Sequence, residues 1–246
     1  ISKRGRTPIS KSFHRMLTPL SIASDRVRKT VMTALVVGTS LLATGQAALA
    51  HPHVWIDASA EFVFENDRIT GIRVHWLFDD LFSMTLIDEF DHNHDTRFFG
   101  DENTNLRDNA FAALAEVSWL THLRRNEELL AFAGATDFKA DITDDRRVTY
   151  DFTLTLDQPL DPKKDKISLS VYDAEYYIDV AFTQVDPVLF VGTKNLSCHF
   201  EMSEDEKNRI YFDLVAPVRA DLVCAGKVAD GGSSGGLAPG DFVRVE

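Results

Sequence analysis

Apolar and polar residues alternate from Val54 to Glu65, and a second alternating segment runs from Ile69 to Asp79. Alternation with a period of two predicts half-buried β-strands. A three-residue turn over residues 66–68 would place both apolar sets on the same face of one hairpin, whereas a two- or four-residue loop would separate them. The pattern therefore predicts a hairpin that is closed by an odd-length turn.

After the hairpin, the apolar spacing changes to that of helices. It predicts a short helix from Leu81 to Phe90, and a longer one that begins at Asn103 or Thr104 and ends near Arg124. The stripe of the longer helix consists of apolar residues three or four positions apart: Leu106, Ala110, Phe111, Leu114, Val117, Leu120 and Leu123.

The remainder of the chain returns to β-type patterning. Strands are expected over residues 128–133, 137–142, 148–156, 167–181, 189–191, 196–201 and 210–214, with one capped helical turn over 203–206. This order of elements predicts an α+β fold: a mostly antiparallel β body with an early inserted helix–loop–helix that resembles an EF-hand. Residues 226–246 are rich in Gly and Ser at their start, which is typical of a flexible C-terminal tail.

Residues 1–50 have the pattern of a secretory signal region. Basic residues at Arg26, Arg28 and Lys29 precede an uncharged stretch, Val31 to Ala50, that ends in the small-x-small sequence Ala48-Leu49-Ala50. An uncleaved membrane anchor is the alternative, because the stretch is twenty residues long. Several polar residues dilute it, so we expect Sec-dependent export, removal of residues 1–50 and no stable membrane insertion afterwards. Residues 51–225 would then form one periplasmic domain.

The charge of that mature chain is strongly negative. Eight of the 26 Lys and Arg and one of the 38 Asp and Glu precede His51, so 18 basic and 37 acidic residues remain, for a net charge of −19. Such a surface repels nucleic acid and attracts cations, although an acidic surface also serves plain solubility.

Cys198 and Cys224 are the two cysteines of the chain. In an oxidising compartment an even pair predicts a disulfide. It would close a loop of about 25 residues, worth roughly 3 kcal/mol in the chain-entropy model. Two metal-binding thiolates are the alternative, but the C-x-x-C spacing is missing.

The segment over residues 91–102 has the ligand spacing of a calcium-binding EF-hand loop. Asp91, Asn93 and Asp95 occupy loop positions 1, 3 and 5, and Glu102 occupies position 12. Position 6 is Thr96 instead of the usual glycine, so this residue must take a positive φ at some cost. Three readings remain open: a loop that binds calcium, a loop that keeps the shape without the ion, and coincidence.

Histidines at the start of the mature chain form a second candidate metal site. The polar face of the hairpin carries His51, His53, Asp57, His75 and Asp79. Imidazoles with a carboxylate suit zinc, nickel or copper, and a terminal His51 would add its α-amine. The alternative is an exposed polar strand face with no metal role.

A third acidic group lies at Asp173, Glu175 and Asp179, which would share one face of an unbroken strand. It could supply metal ligands, or it could be a solvated face. No G-x-S-x-G, H-E-x-x-H or phosphate-loop motif occurs. We therefore expect no enzyme, no catalytic residues and no organic cofactor; an oxidative copper enzyme is a formal alternative.

Several of these motifs together resemble one bacterial family. They are His51-Pro-His-Val-Trp-Ile-Asp57, Phe78-Asp-Asp80 with Phe82-Ser83, Phe90-Asp-x-Asn-x-Asp95 with Glu102, and Val171-Tyr-Asp-x-x-Tyr-Tyr177. In this order they resemble the domain-of-unknown-function 1007 family of exported proteins, over His51 to about Ala225. Thr96 departs from the Asp-Gly that the family pattern has at positions 95 and 96, which puts calcium binding in question for this chain.

The resemblance implies a periplasmic component of an uncharacterised ABC-type transport system, working alongside a membrane metal transporter. The expected function is therefore a periplasmic binding or accessory protein for a divalent metal ion. The competing expectation is a structural or protein-interaction domain in which the loop is vestigial or is only stabilised by calcium.

Overall fold

The computed structural model describes residues 52–227. The predicted signal region, His51 and nearly all of the predicted tail lie outside the described residues. Within residues 52–227, no helix combines the length and the apolar character that crossing a membrane requires.

The predicted hairpin is confirmed, although its turn differs from the expectation. Strands β1 (Val54–Glu65) and β2 (Arg68–Phe78) pair antiparallel across a two-residue turn in which Asn66 and Asp67 have φ of 51° and 61°. A bulge at Thr70 then shifts the register by one residue. Beyond the bulge Ile56 faces Phe78, as a three-residue turn would have required. The prediction of a three-residue turn was therefore wrong, and the bulge brings both apolar sets to one face.

The strands of two sheets account for about half of the described residues and the helices for far fewer, so the protein is mostly β. The remaining strands are β3 (Thr121–Arg125), β4 (Glu128–Leu129), β5 (Gly134–Ile142), β6 (Val148–Leu160), β7 (Ile167–Val171), β8 (Ile178–Phe182), β9 (Val188–Val191), β10 (Leu196–Glu204) and β11 (Val218–Gly226). The first sheet has the order β5-β6-β2-β1-β8, and β9 follows β8 along the same edge of β1. The second has the order β10-β11-β7-β3-β4. Only β8 and β9 pair in parallel among the described strands, both with β1.

The helices connect β2 to β3. Helix α1 covers Asp80–Phe90, and helix α2 covers Asp101–Leu106. A π-helical turn, Arg107–Phe111, and a 3-10 segment, Ala112–Leu120, follow α2.

The long helix expected from Asn103 or Thr104 to Arg124 was wrong at both ends. It begins at Asp101, and the side chain of Asn103 accepts a hydrogen bond from Ala140 N–H of β5 instead of capping the helix. It ends because Ser118, Trp119 and Leu120 have φ of 54°, 48° and 50°, values that no right-handed helix tolerates.

Three further predictions along the β part were wrong. The strand expected over residues 167–181 is two strands, β7 and β8, in different sheets. Residues 210–214 form a turn closed by an isolated bridge between Ile210 and Val215. Residues 203–204 belong to β10 instead of a helical turn, and strand β11 was not expected at all.

One cluster of buried apolar side chains includes residues from both sheets and from the helical segment. Phe111, in the π-helical turn, stacks on Phe138 of β5 with ring centroids 4.2 Å apart, and its edge meets Phe152 of β6 at 4.9 Å. These contacts seat the helical segment that follows α2 on the first sheet.

The predicted disulfide is present. Cys198 and Cys224 face each other across the antiparallel pair β10–β11 and are bonded. A disulfide is consistent with an extracellular or periplasmic location.

Candidate metal centre

Asp79 determines where the candidate site begins, because it starts helix α1. One of its carboxylate oxygens accepts hydrogen bonds from Leu81 N–H at 2.9 Å and Phe82 N–H at 3.0 Å. The other accepts from Trp55 N–H of β1 at 2.9 Å. This N-cap satisfies two helix donors and ties α1 to the end of the hairpin.

Asp91 ends helix α1 and organises the loop that follows. Its side chain is 2% exposed, and its two oxygens accept hydrogen bonds from Asp95 N–H at 3.2 Å and Thr96 N–H at 3.1 Å. Asn93 Oδ1 also accepts from Asp95 N–H, at 2.8 Å. The loop therefore winds around the Asp91 carboxylate.

Thr96 has the backbone conformation that glycine usually supplies at the sixth loop position. Its φ is +64°, inside the left-handed region, and that of His94 is +59°. Because a Cβ atom disfavours this region, Thr96 carries the strain that the sequence predicted. Its hydroxyl donates to the Asp95 carbonyl at 2.6 Å.

Glu102 closes the loop from the first turn of helix α2. It is 8% exposed, and its Oε1 accepts a hydrogen bond from Asn93 N–H at 3.2 Å. Its Oε2 is buried and has no hydrogen-bond partner within residues 52–227. An unpartnered buried carboxylate oxygen is costly, because burial removes water without providing another donor or cation.

The carboxylates of Asp91, Asp95 and Glu102 converge on one point. Oxygens from these three side chains all lie within 4.8 Å of one another. Ionised carboxylates at this separation repel each other, and a shared cation would reverse the sign of that interaction. Hard oxygen ligands of this kind suit calcium or magnesium rather than a soft transition metal.

The structure does not bring the histidine-face residues together within its described part. His75 lies opposite Ser59 of β1, and Ser59 is six residues beyond His53, which corresponds to about 20 Å of extended chain. His75 Nδ1 instead pairs with Asp151 Oδ1 of β6 at 2.8 Å, and this hydrogen bond raises the pKa of His75. His53 and His75 are therefore far apart, although the alternating pattern places both on the polar face of the hairpin. Sequence patterning also missed Asp151, since only the β2–β6 register pairs it with His75.

The other predicted histidine-face residues have separate surroundings. The His53 ring lies against Tyr177, with centroids 4.8 Å apart. Both oxygens of Asp79 accept backbone hydrogen bonds, one from the start of α1 and the other from Trp55 of β1. No group of three potential metal-ligating side chains within residues 52–227 includes His53, His75 or Asp79. His51 lies outside the described residues, so a zinc, nickel or copper site that includes it stays a prediction.

Asp173, Glu175 and Asp179 do not share one strand face, contrary to that expectation. Asp173 is nearly buried and accepts hydrogen bonds from the backbone N–H groups of Glu175, Tyr177 and Ile178, which builds the turn between β7 and β8. Asp179 lies on β8, where burial raises its pKa. In this segment Asp173 therefore stabilises a turn and is not part of an acidic strand face.

The fold and the site define a mostly β protein of two sheets, with a carboxylate cluster on the loop that joins its two helices. The chain belongs to the family described as protein of unknown function (DUF1007), whose model matches residues 36–220. It is also similar to an uncharacterised protein of Haemophilus influenzae. The two are 23% identical over 168 residues, which cover 66% of this chain and 79% of the relative.

Proposed function

We propose that this protein is a periplasmic cation-binding accessory protein whose loop over residues 91–102 binds calcium in the manner of an EF-hand. The observation that carries the proposal is the convergence of Asp91, Asp95 and Glu102, with the buried Glu102 Oε2 lacking any partner in the described part of the chain. A divalent cation there would supply that partner and offset the repulsion between the carboxylates.

Each loop position has a defined role in this proposal. Asp91, Asn93 and Asp95 supply side-chain oxygens, Arg97 supplies its backbone carbonyl, and Glu102 supplies both carboxylate oxygens. Thr96 already has the positive φ that the sixth position requires. The loop therefore needs no change in the handedness of its backbone to take an ion.

Cation binding would tie the end of α1 to the start of α2. Asp91 caps the C-terminal end of α1, and Glu102 lies in the first turn of α2. An ion bound only by the folded state stabilises that state by about 2.7 kcal/mol at a hundredfold excess over its dissociation constant. The proposed effect of calcium is thus a more stable helix–loop–helix on the first sheet.

In the cell, we propose that the protein works as an accessory protein of a membrane transporter for divalent metal ions. The support for this role is the family resemblance, the signal-like residues 1–50, the disulfide between β10 and β11, and the acidic surface, which raises the local concentration of cations. N-terminal sequencing of exported protein tests the location, with His51 as the expected first residue. An intact segment ahead of His51 would contradict both cleavage and the proposed terminal-amine ligand.

Thermal unfolding with and without calcium tests the loop, with a matched pair of Glu-to-Gln variants. Calcium should raise the Tm of the parent, and Glu102→Gln should remove most of that rise. Glu89→Gln, an exposed site on α1 outside the cluster, should keep the full rise. Equal responses from the parent and from Glu102→Gln would exclude this loop as the calcium site.

A second candidate is a purely architectural loop, and one observation favours it. The loop closes through its own hydrogen bonds, from the N–H groups of Asn93, Asp95 and Thr96 to side-chain oxygens. Metal analysis of the exported protein separates the candidates. Calcium in the purified protein would support the loop site, and a transition metal would support the site at His51. The absence of both would support the architectural role.

A further inference from the structure

A cleft of about 530 Å³ lies beside the loop, separate from the three converging carboxylates. The loop segment over residues 96–99 forms one wall, and β5 with the turn that follows it forms the other. The side chains that bear on its chemistry are three cations, two carboxylates and one aromatic ring: Arg97, Lys139, Arg146, Asp141, Asp144 and Phe99.

Two of the cations have no carboxylate bonded to them within the described residues. Lys139 Nζ pairs with Asp141 at 2.8 Å, whereas neither Arg97 nor Arg146 forms a salt bridge within residues 52–227. Carboxylates outnumber Lys and Arg by 34 to 17 in this part of the chain. Two unpaired guanidinium groups in one cleft are therefore unexpected from the composition.

The two carboxylates of the lining do not cancel these charges. The hydrogen bond from Lys139 lowers the pKa of Asp141, and the charge of Arg97 adds a smaller lowering. Once Lys139 and Asp141 are counted as a neutral pair, Asp144 balances only one of the two arginines. The lining therefore has one net positive charge. Phe99, which is 84% exposed, adds an apolar surface.

We propose that this cleft binds a small organic oxyanion through Arg97 and Arg146, with Phe99 against the carbon part of the ligand. A guanidinium group presents paired N–H donors that match the two oxygens of a carboxylate or of a phosphoryl group. The cleft volume lies in the range of small-molecule sites and exceeds what one inorganic ion fills. The site can be tested separately from calcium binding, because none of the three converging carboxylates lines it. Arg97 belongs to both sites, but calcium would take its backbone carbonyl and the oxyanion its guanidinium group.

Calorimetric titration of the exported protein with citrate, and separately with inorganic phosphate, tests this site. The protein is first freed of metal on a chelating resin, because a soluble polycarboxylate chelator would compete for the site. Saturable one-to-one binding of citrate is expected at fixed ionic strength. Saturation by phosphate and not by citrate would assign the site to phosphoryl ligands, still through the same two guanidinium groups.

Three variants identify the residues responsible. Arg97→Gln and Arg146→Gln should each weaken binding about tenfold, the effect of losing one charge-assisted contact. Arg125→Gln is the matched control, because Arg125 also lacks a salt bridge in the described residues but lies on β3, outside the cleft.

Glu102→Gln should bind citrate as the parent does, so a failure of the calcium proposal leaves this result unaffected. Absence of saturable binding by either anion would overturn the proposal. An equal loss in Arg125→Gln would also overturn it, because it would indicate general attraction between charges.

Discussion

Glu102 Oε1 accepts a hydrogen bond from the backbone N–H of Asn93 at 3.2 Å, nine residues earlier in the chain. This bond joins the first turn of α2 to the start of the loop and holds the Glu102 carboxylate near those of Asp91 and Asp95. The loop is therefore closed by the same side chain that would complete a calcium site.

Thr96→Gly should stabilise the protein by about 0.5–1 kcal/mol, because it removes the cost of a Cβ at positive φ. It should also strengthen calcium binding, since the loop backbone would then hold its geometry without strain. Urea unfolding and a calcium titration measure the two effects. Thr85→Gly, at an exposed helical position of α1, should destabilise the protein. If Thr96→Gly also destabilised the protein, the backbone of Thr96 would not be strained.

Ser83→Ala should lower the free energy of unfolding by about 1–3 kcal/mol, because a buried backbone donor loses its partner. Ser83 is 0% exposed, and its Oγ accepts from Val148 N–H at 2.9 Å, which attaches α1 to β6. Chemical denaturation provides the measurement. Thr85→Ala, which loses an exposed hydrogen bond within α1, should stay within about 0.5 kcal/mol of the parent. Equal effects of the two changes would argue against the Ser83 attachment.

The pKa of His75 should lie above its ordinary value of about 6.5, whereas burial should hold the pKa of His122 below it. NMR titration measures both values, and Asp151→Asn should lower only that of His75. Because the folded pKa of His75 is raised, its stabilising contribution is complete below about pH 6.5 and is lost as the pH rises through the folded pKa. Unchanged titration of His75 in Asp151→Asn would exclude the contact between them.

The strands and helix α1 could be predicted because their burial follows a simple period. Val54 and Ile56 are 5% and 2% exposed, as the alternation of β1 requires. The positive φ of Thr96 could also be predicted, because the ligand spacing of the loop fixed which residue must turn.

Other features depend on contacts that no local pattern contains. Leu123 fits the helical stripe and the alternation of β3 equally well, and only pairing with β7 decides for the strand. The bulge at Thr70 and the pairing of His75 with Asp151 follow from strand register, which is set by the whole sheet. The same holds for the cleft between the loop and β5, because Arg97 is distant in sequence from Lys139 and Arg146.

A crystal structure of the exported protein with calcium would show directly whether the loop over residues 91–102 binds the ion. We expect one calcium ion within about 2.3–2.6 Å of oxygens from Asp91, Asp95 and both carboxylate oxygens of Glu102. Its anomalous signal would be lost in crystals of Glu102→Gln. A calcium-saturated crystal with no ion at these residues, and with Glu102 Oε2 still buried without a partner, would exclude calcium binding by this loop.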